Sequence, residues 1–198
     1  MFDEVMTSRM SAGGMQKLLG IDPDMTTLGK YFGGGGQNFG AFGGKAEIMS
    51  IIEPGFPHGV YHSGTYNNNT TTMAAGIAVL EEVWTEEVAN DLFKTGEWLR
   101  DQLRKVAENA GSILQVTGVG SLMSIHFSSK KVRSIADVNE SVNELKELFF
   151  FDMLKKGFFL AQRGMISLMT VTTKGELETF VEAVRQFLEG RKEFVSIA

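Results

Sequence analysis

Ile21-Asp22-Pro23-Asp24-Met25-Thr26-Thr27-Leu28-Gly29-Lys30, followed by Tyr31-Phe32 and the run GGGGQNFGAFGG from Gly33 to Gly44, is the stretch on which the reading of this chain turns. Glycine at this density permits unusual backbone angles and close backbone approach but gives little helix or strand propensity, which predicts a loop of irregular geometry. Nucleotide-phosphate loops are excluded by spacing. The residue five before Gly44 is Phe39 and the residue after Lys45 is Ala46, so the P-loop pattern fails, and no window fits GxGxxG. Composition alone leaves a mobile linker open as well.

Outside this stretch, the 198 residues are 43% hydrophobic, enough for one large domain or two small ones with a sizeable core. Nineteen Lys and Arg against 24 Asp and Glu leave a formal charge of -5, so there is no general pull toward nucleic acid or anionic membranes, and a small-molecule ligand is favoured. Without cysteine there is no disulfide framework and no thiolate metal site. His58, His62 and His126 lack HxxxH or HExxH spacing, so no metal chemistry is expected. Met1-Phe2-Asp3-Glu4-Val5 shows no basic leader before an apolar stretch, and no segment reaches about 18 uninterrupted apolar residues. The expectation is a soluble cytoplasmic protein, with an organelle open if targeting information precedes Met1.

Along the chain, apolar residues from Met73 through Ile77, Leu80, Val83, Val88, Leu92, Leu99 and Leu103 to Val106 recur mostly at three or four, which predicts one long helix or two abutting ones between Thr72 and Asn109. Gly111 is a plausible stop. Strands are expected over Ile113 to Val116 and Ser121 to Phe127, then a helix over Val138 to Lys156. Phe158 to Thr172 reads as a pair of strands turning near Arg163-Gly164. A last helix runs from Lys174 to about Glu189, with Thr173 and Glu176 in capping-box register. Helix, two strands, helix, two strands, helix is an α+β unit beyond about residue 76.

Five pieces occur in order: Phe2-Asp3-Glu4-Val5; Gly14 to Gly20; the Ile21 to Lys30 stretch; Gly40-Ala41-Phe42-Gly43-Gly44-Lys45-Ala46-Glu47-Ile48-Met49; and His62-Ser63-Gly64-Thr65-Tyr66. Together they resemble the C-terminal half of a class III, fold-type I aminotransferase dependent on pyridoxal phosphate (PLP). The resemblance is greatest to the branch containing glutamate-1-semialdehyde aminomutase and β-amino-acid aminotransferase. It implies an α/β fold: a remnant of the large parallel-sheet domain over residues 1–75, then a linking helix and an α+β small domain over 76–198. It also implies PLP as cofactor and a homodimer. Lys30 would hold the cofactor as a Schiff base and then shuttle the substrate proton, and Asp3 would keep the pyridine nitrogen protonated. Thr65 would reach the PLP phosphate, usually across the dimer interface. Arg163, in Ala161-Gln162-Arg163-Gly164-Met165, would offer a guanidinium to a substrate carboxylate.

Each residue has an ordinary reading beside this one. Asp3 is otherwise an N-cap or surface carboxylate, Lys30 a solvated charge, Thr65 a turn or capping threonine, and Arg163 a turn arginine. Glu4 and His62 are potential supporting groups that nothing in the sequence separates from ordinary polar residues. Where the family commonly has Gly-Asn-Pro, this chain has Asn67-Asn68-Asn69-Thr70-Thr71-Thr72, which leaves the local helix start open.

The implied function is transfer of an amino group between an amino acid or amino ketone and a keto acceptor, of the aminotransferase or aminomutase type. In such a fold an apolar run of about four to six residues should lead into the aspartate, and only Met1 and Phe2 do. Upstream strands, the phosphate-gripping loop and the aromatic residue stacked on the ring are therefore expected outside this chain, leaving an incomplete site. The alternative is a non-catalytic truncated fragment that acts as an interaction or dimerisation module.

Overall fold

Phe2–Asp3 forms a short strand, β1, and a crossover through the helix α1 (Gly14–Leu19) returns the chain to run parallel beside it as β2 (Met25–Gly29). Register sets Phe2 opposite Thr26 and Asp3 opposite Thr27. The two β-branched threonines suit this central position, because their side chains point to opposite faces: Thr26 donates to the Gln16 side chain at 2.8 Å and Thr27 to Asp3 at 3.0 Å. A 3-10 turn over Lys30–Gly33 ends β2.

The glycine-rich run then departs from its sequence expectation. Its second half, Gly40–Gly44, is a strand, β3, antiparallel to β2 from Met25 opposite Gly44 to Gly29 opposite Gly40. Ladder hydrogen bonds need only backbone, so a waiting partner strand outweighs the weak intrinsic preference of glycine. A short helix α2 (Ala46–Met49) follows, and α3 spans Thr70–Ala78. Asn69 is the N-cap of α3, its side-chain oxygen accepting from the Thr72 amide at 3.1 Å, which fixes the helix start that the sequence left open. A π-type turn over Val79–Val83 separates α3 from α4 (Glu86–Asn109), so two abutting helices are present.

The structure describes residues 1–196, which divide into two units, Met1–Asn90 and a second beginning at Asp91. In the second unit, β4 (Leu114–Val119), β5 (Leu122–Phe127) and β6 (Met165–Ser167) form an antiparallel sheet in sequence order. The helices α5 (Ile135–Asn139), α6 (Asn143–Lys155), α7 (Lys174–Gly190) and α8 (Lys192–Val195) complete it. The single helix expected over Val138–Lys156 is divided, because extended Val142 donates its amide to the Phe127 carbonyl at 2.9 Å. Of the two strands expected from Phe158 to Thr172, only β6 forms. Phe158 instead closes the end of α6 through the Met153 carbonyl and packs its ring edge-on against Phe180, 5.2 Å away. The capping box of Thr173 and Glu176 starts α7 as its spacing requires.

Phe127, Phe149 and Phe187, each at most 2% exposed, meet at centroid distances of 5.1 to 6.1 Å and centre the core of this unit. Helix α4 is clamped onto the β4–β5 hairpin. Gly96 lets its backbone approach the Gly120 carbonyl, where a Cβ would collide. Glu97 then accepts the Gly120 amide at 2.6 Å, Arg100 donates to the Gly118 carbonyl at 2.7 Å, and Arg104 donates to Val116. Among the described residues no helix is long and apolar enough to cross a membrane.

Candidate active site

β1 and β2 run side by side, so the carboxylate that ends one strand and the lysine that follows the other are held in a common corner. Asp3 Oδ1 accepts from the Val5 amide at 2.9 Å and from the Thr27 hydroxyl at 3.0 Å. The Val5 amide, then the Thr27 hydroxyl and the positive charge of Lys30, hold the Asp3 carboxyl below the usual carboxylate range, although the residue is exposed. Lys30 has φ 58, in the left-handed region that residues other than glycine rarely occupy. It is exposed and makes no ion pair within 4.0 Å among the described residues. The next residue anchors the turn: Tyr31 stacks on Phe32 at 4.5 Å and meets Trp84 at 4.9 Å, and burial pushes its phenol above the usual range.

Thr65 is exposed at the start of the turn Thr65–Asn68. Its neighbours Tyr66 and Asn67 to Asn69, rather than Thr65 itself, line a groove of about 920 Å³ together with Gln37 to Phe42 and His62. His62 packs edge-on against Phe42, centroids 5.3 Å apart. Arg163 lies in the second unit, exposed, in the turn before β6, with Nη2 3.2 Å from Met165 Sδ. It lines a hollow of about 440 Å³ with Gln162, Asn143, Lys146 and two glutamates, Glu144 and Glu147. The structure thus brings Asp3 and Lys30 together and keeps Thr65 in the same unit.

The Aminotransferase class-III family matches residues 1–188 of this chain. The chain belongs to the class-III aminotransferases. It is 43% identical over 189 residues to the beta-phenylalanine transaminase of Variovorax paradoxus, covering 96% of this chain and 43% of that protein. Identity is 37% over 188 residues to the glutamate-1-semialdehyde 2,1-aminomutase of Sulfurihydrogenibium azorense, over 93% of this chain and 43% of that one. The crystal structure of the Variovorax paradoxus enzyme superposes with a TM-score of 0.94 at 42% identity, over 98% of this chain and 45% of its own length. A transaminase solved with PLP bound superposes with a TM-score of 0.81 at 27% identity. The fold is that of fold-type I enzymes, and PLP is the cofactor of the family. This class-III chain spans less than half the length of these relatives.

The Asp3–Lys30 corner suits that cofactor's chemistry. A carboxylate kept ionised by two fixed donors matches a protonated ring nitrogen, and an exposed amine that makes no ion pair within 4.0 Å among the described residues matches a carbonyl carbon. One contributor, Thr27, escaped the sequence reading, and a second, Glu4, was named there only as a potential supporting group. Thr27 orients Asp3; alternation along a strand made it certain that only one of the paired threonines could face that side, but the partner strand was needed to say which. Glu4, 1% exposed, is no surface carboxylate. It accepts the Gln16 amide at 2.7 Å and the Thr7 hydroxyl at 2.5 Å, closing the first turn of α1 beneath the strand ends.

Proposed function

We propose that this chain carries the lysine and the ring-nitrogen carboxylate of a PLP-dependent amino-transfer site of the aminotransferase or aminomutase type. The reading is supported by one relationship above the rest: the ionised, hydrogen-bonded Asp3 beside an exposed Lys30 held left-handed at the end of the adjacent strand. PLP, when bound, supplies an electron-accepting ring that stabilises negative charge at the substrate Cα. Lys30 is the residue that would hold the cofactor, and its amine would move the substrate Cα proton. Asp3 keeps a proton on the ring nitrogen. Thr65 would hold the cofactor phosphate from the other subunit of a homodimer, and Arg163 would pair with a substrate carboxylate.

The substrates are a small-molecule amino donor and a keto acceptor, and the setting we infer is cytoplasmic. A covalent bond to lysine alone does not orient a cofactor; phosphate and ring contacts do. We therefore assign full activity to the longer family fold, of which this chain spans about 43% to 45%.

Incubation with PLP, borohydride reduction and peptide mass mapping tests the assignment. The expected label sits on Lys30, disappears in Lys30→Ala and persists in Lys45→Ala. A label spread evenly over the exposed lysines sinks it.

A further inference from the structure

The left-handed backbone of Lys30, φ 58, carries a steric cost for any residue with a Cβ and survives only where its surroundings over-determine it. Upstream, β2 supplies half of that constraint, since Gly29 is extended and lies opposite Gly40 in the ladder. This fixes where the chain arrives at Lys30 and leaves open the direction in which it departs. The departing side, Tyr31 to Gly34, has to be held by something outside the sheet.

Helix α3 and the turn that ends it do this. Gly76 lets α3 approach the Phe32 carbonyl so closely that a Cβ would collide, and a Cβ on Gly34 would lie 2.6 Å from the Ala75 Cβ. The helix then widens: the Trp84 amide reaches back five residues to the Val79 carbonyl at 2.7 Å, one more than the α-helical pattern, a geometry that recurs at functional sites. Trp84 leaves the helix at φ -91 and ψ 70, and its ring meets Tyr31 at 4.9 Å, while Tyr31 stacks on Phe32 at 4.5 Å. Its buried Nε1 has no hydrogen-bond partner among the described residues, so ring packing rather than a hydrogen bond is what this side chain contributes. Tyr31 is thereby confined between its own turn and a ring brought from α3, and a rotation of Lys30 toward the right-handed region would carry Tyr31 off Trp84.

We propose that Trp84 is a positioning residue for Lys30: its ring, set in place by the π-type turn, holds Tyr31 and with it the left-handed backbone that keeps the lysine amine at the Asp3 corner. The proposal rests on the amino-transfer reading for what the amine does, and on the packing alone for how it is held.

The test compares the full wild-type chain with Trp84→Ala, Trp84→Phe and Tyr31→Leu by two readings. One is the intraresidue amide-to-Hα NOE of Lys30, which is stronger in left-handed backbone than in right-handed or extended backbone. The other is the rate of PLP labelling, trapped with borohydride, at Lys30 relative to Lys17, an exposed amine of the same unit. Trp84→Ala is expected to weaken the NOE and to lower the labelling ratio about fivefold or more, the population ratio set by the steric cost of left-handed backbone. Trp84→Phe keeps a ring at the contact and should hold the ratio within about twofold of the wild type. Tyr31→Leu breaks the same contact from its other side and should match Trp84→Ala; where Trp84→Ala does not fold, Tyr31→Leu decides. A merely structural role would lower the thermal midpoint and leave both readings in place, so a folded Trp84→Ala or Tyr31→Leu with the wild-type NOE overturns the proposal, as does a ratio lowered as far by Trp84→Phe as by Trp84→Ala. Even labelling of the exposed lysines in the wild type would fail the amino-transfer reading alone, and the NOE then decides the positioning by itself.

Discussion

Glu4 and Gly14 share one small volume: a Cβ on Gly14 would lie 2.5 Å from the same Glu4 Oε1 that accepts the Gln16 amide at 2.7 Å. Gly14 also has φ 72, so both its conformation and its missing side chain are used. Through this contact the first turn of α1 is tied to the residue that follows Asp3.

Gly14→Ala is therefore expected to destabilise the protein by about 2–4 kcal/mol, combining left-handed strain with displacement of a buried carboxylate from its donors. Urea melts check this. Glu4→Ala should produce a comparable loss, since it leaves the Gln16 amide without its partner.

Thr27→Val keeps the strand and its shape but removes one of the two donors to Asp3 Oδ1. The Asp3 carboxyl should then titrate at higher pH than in the wild type, as followed by the pH dependence of its carboxyl carbon NMR signal. An unmoved titration would mean that the Val5 amide and Lys30 suffice.

His126 gives the second unit a pH dependence. Burial, then the positive charge of Lys146, holds the imidazole below its ordinary value of 6.5; Nε2 sits 2.8 Å from the Thr117 hydroxyl, and buried Nδ1 has no hydrogen-bond partner among the described residues. A depressed histidine pKa means that the unfolded chain binds the proton first. The stability contribution is full above about pH 6.5 and falls as pH drops below that value toward the folded-state pKa. Thermal midpoints measured from pH 8 to 5 should decline on the acid side, and His126→Gln should flatten part of that slope.

Arg100, its side chain 10% exposed, joins Glu97 to the Gly118 carbonyl. Arg100→Ala leaves that carbonyl and a half-buried carboxylate without their charged partner, with an expected cost of about 2–3 kcal/mol. A double-mutant cycle with Glu97→Gln, read by denaturant midpoints, should show coupling between the two.

The helices are legible from the sequence because period and capping agree. α7 starts at the Thr173 and Glu176 box and buries Leu177, Phe180, Val184 and Phe187 as their spacing requires. The lysine and aspartate are legible only as members of an ordered motif, since neither residue alone carries a signal. β3 is not legible: five residues, three of them glycine, become a strand because β2 offers a ladder. The role of Phe158 is hidden for the opposite reason, a β-prone residue drawn into the helix packing around Phe180. Likewise, the burial of Glu4 depends on α1 folding back over it, a contact twelve residues away in sequence.

The register of β1 on β2, Asp3 against Thr27, has a last consequence for how this region can vary. The interval from carboxylate to amine is counted out in residues, three from Thr27 to Lys30, along a ladder that advances about 3.3 Å at each step. Exchanging side chains within Met25–Gly29 leaves that count intact. Adding or removing one residue there turns every later side chain to the opposite face and carries the amine away from the carboxylate. The strand works as a measuring rod, tolerant of what is written on it and intolerant of any change in its length.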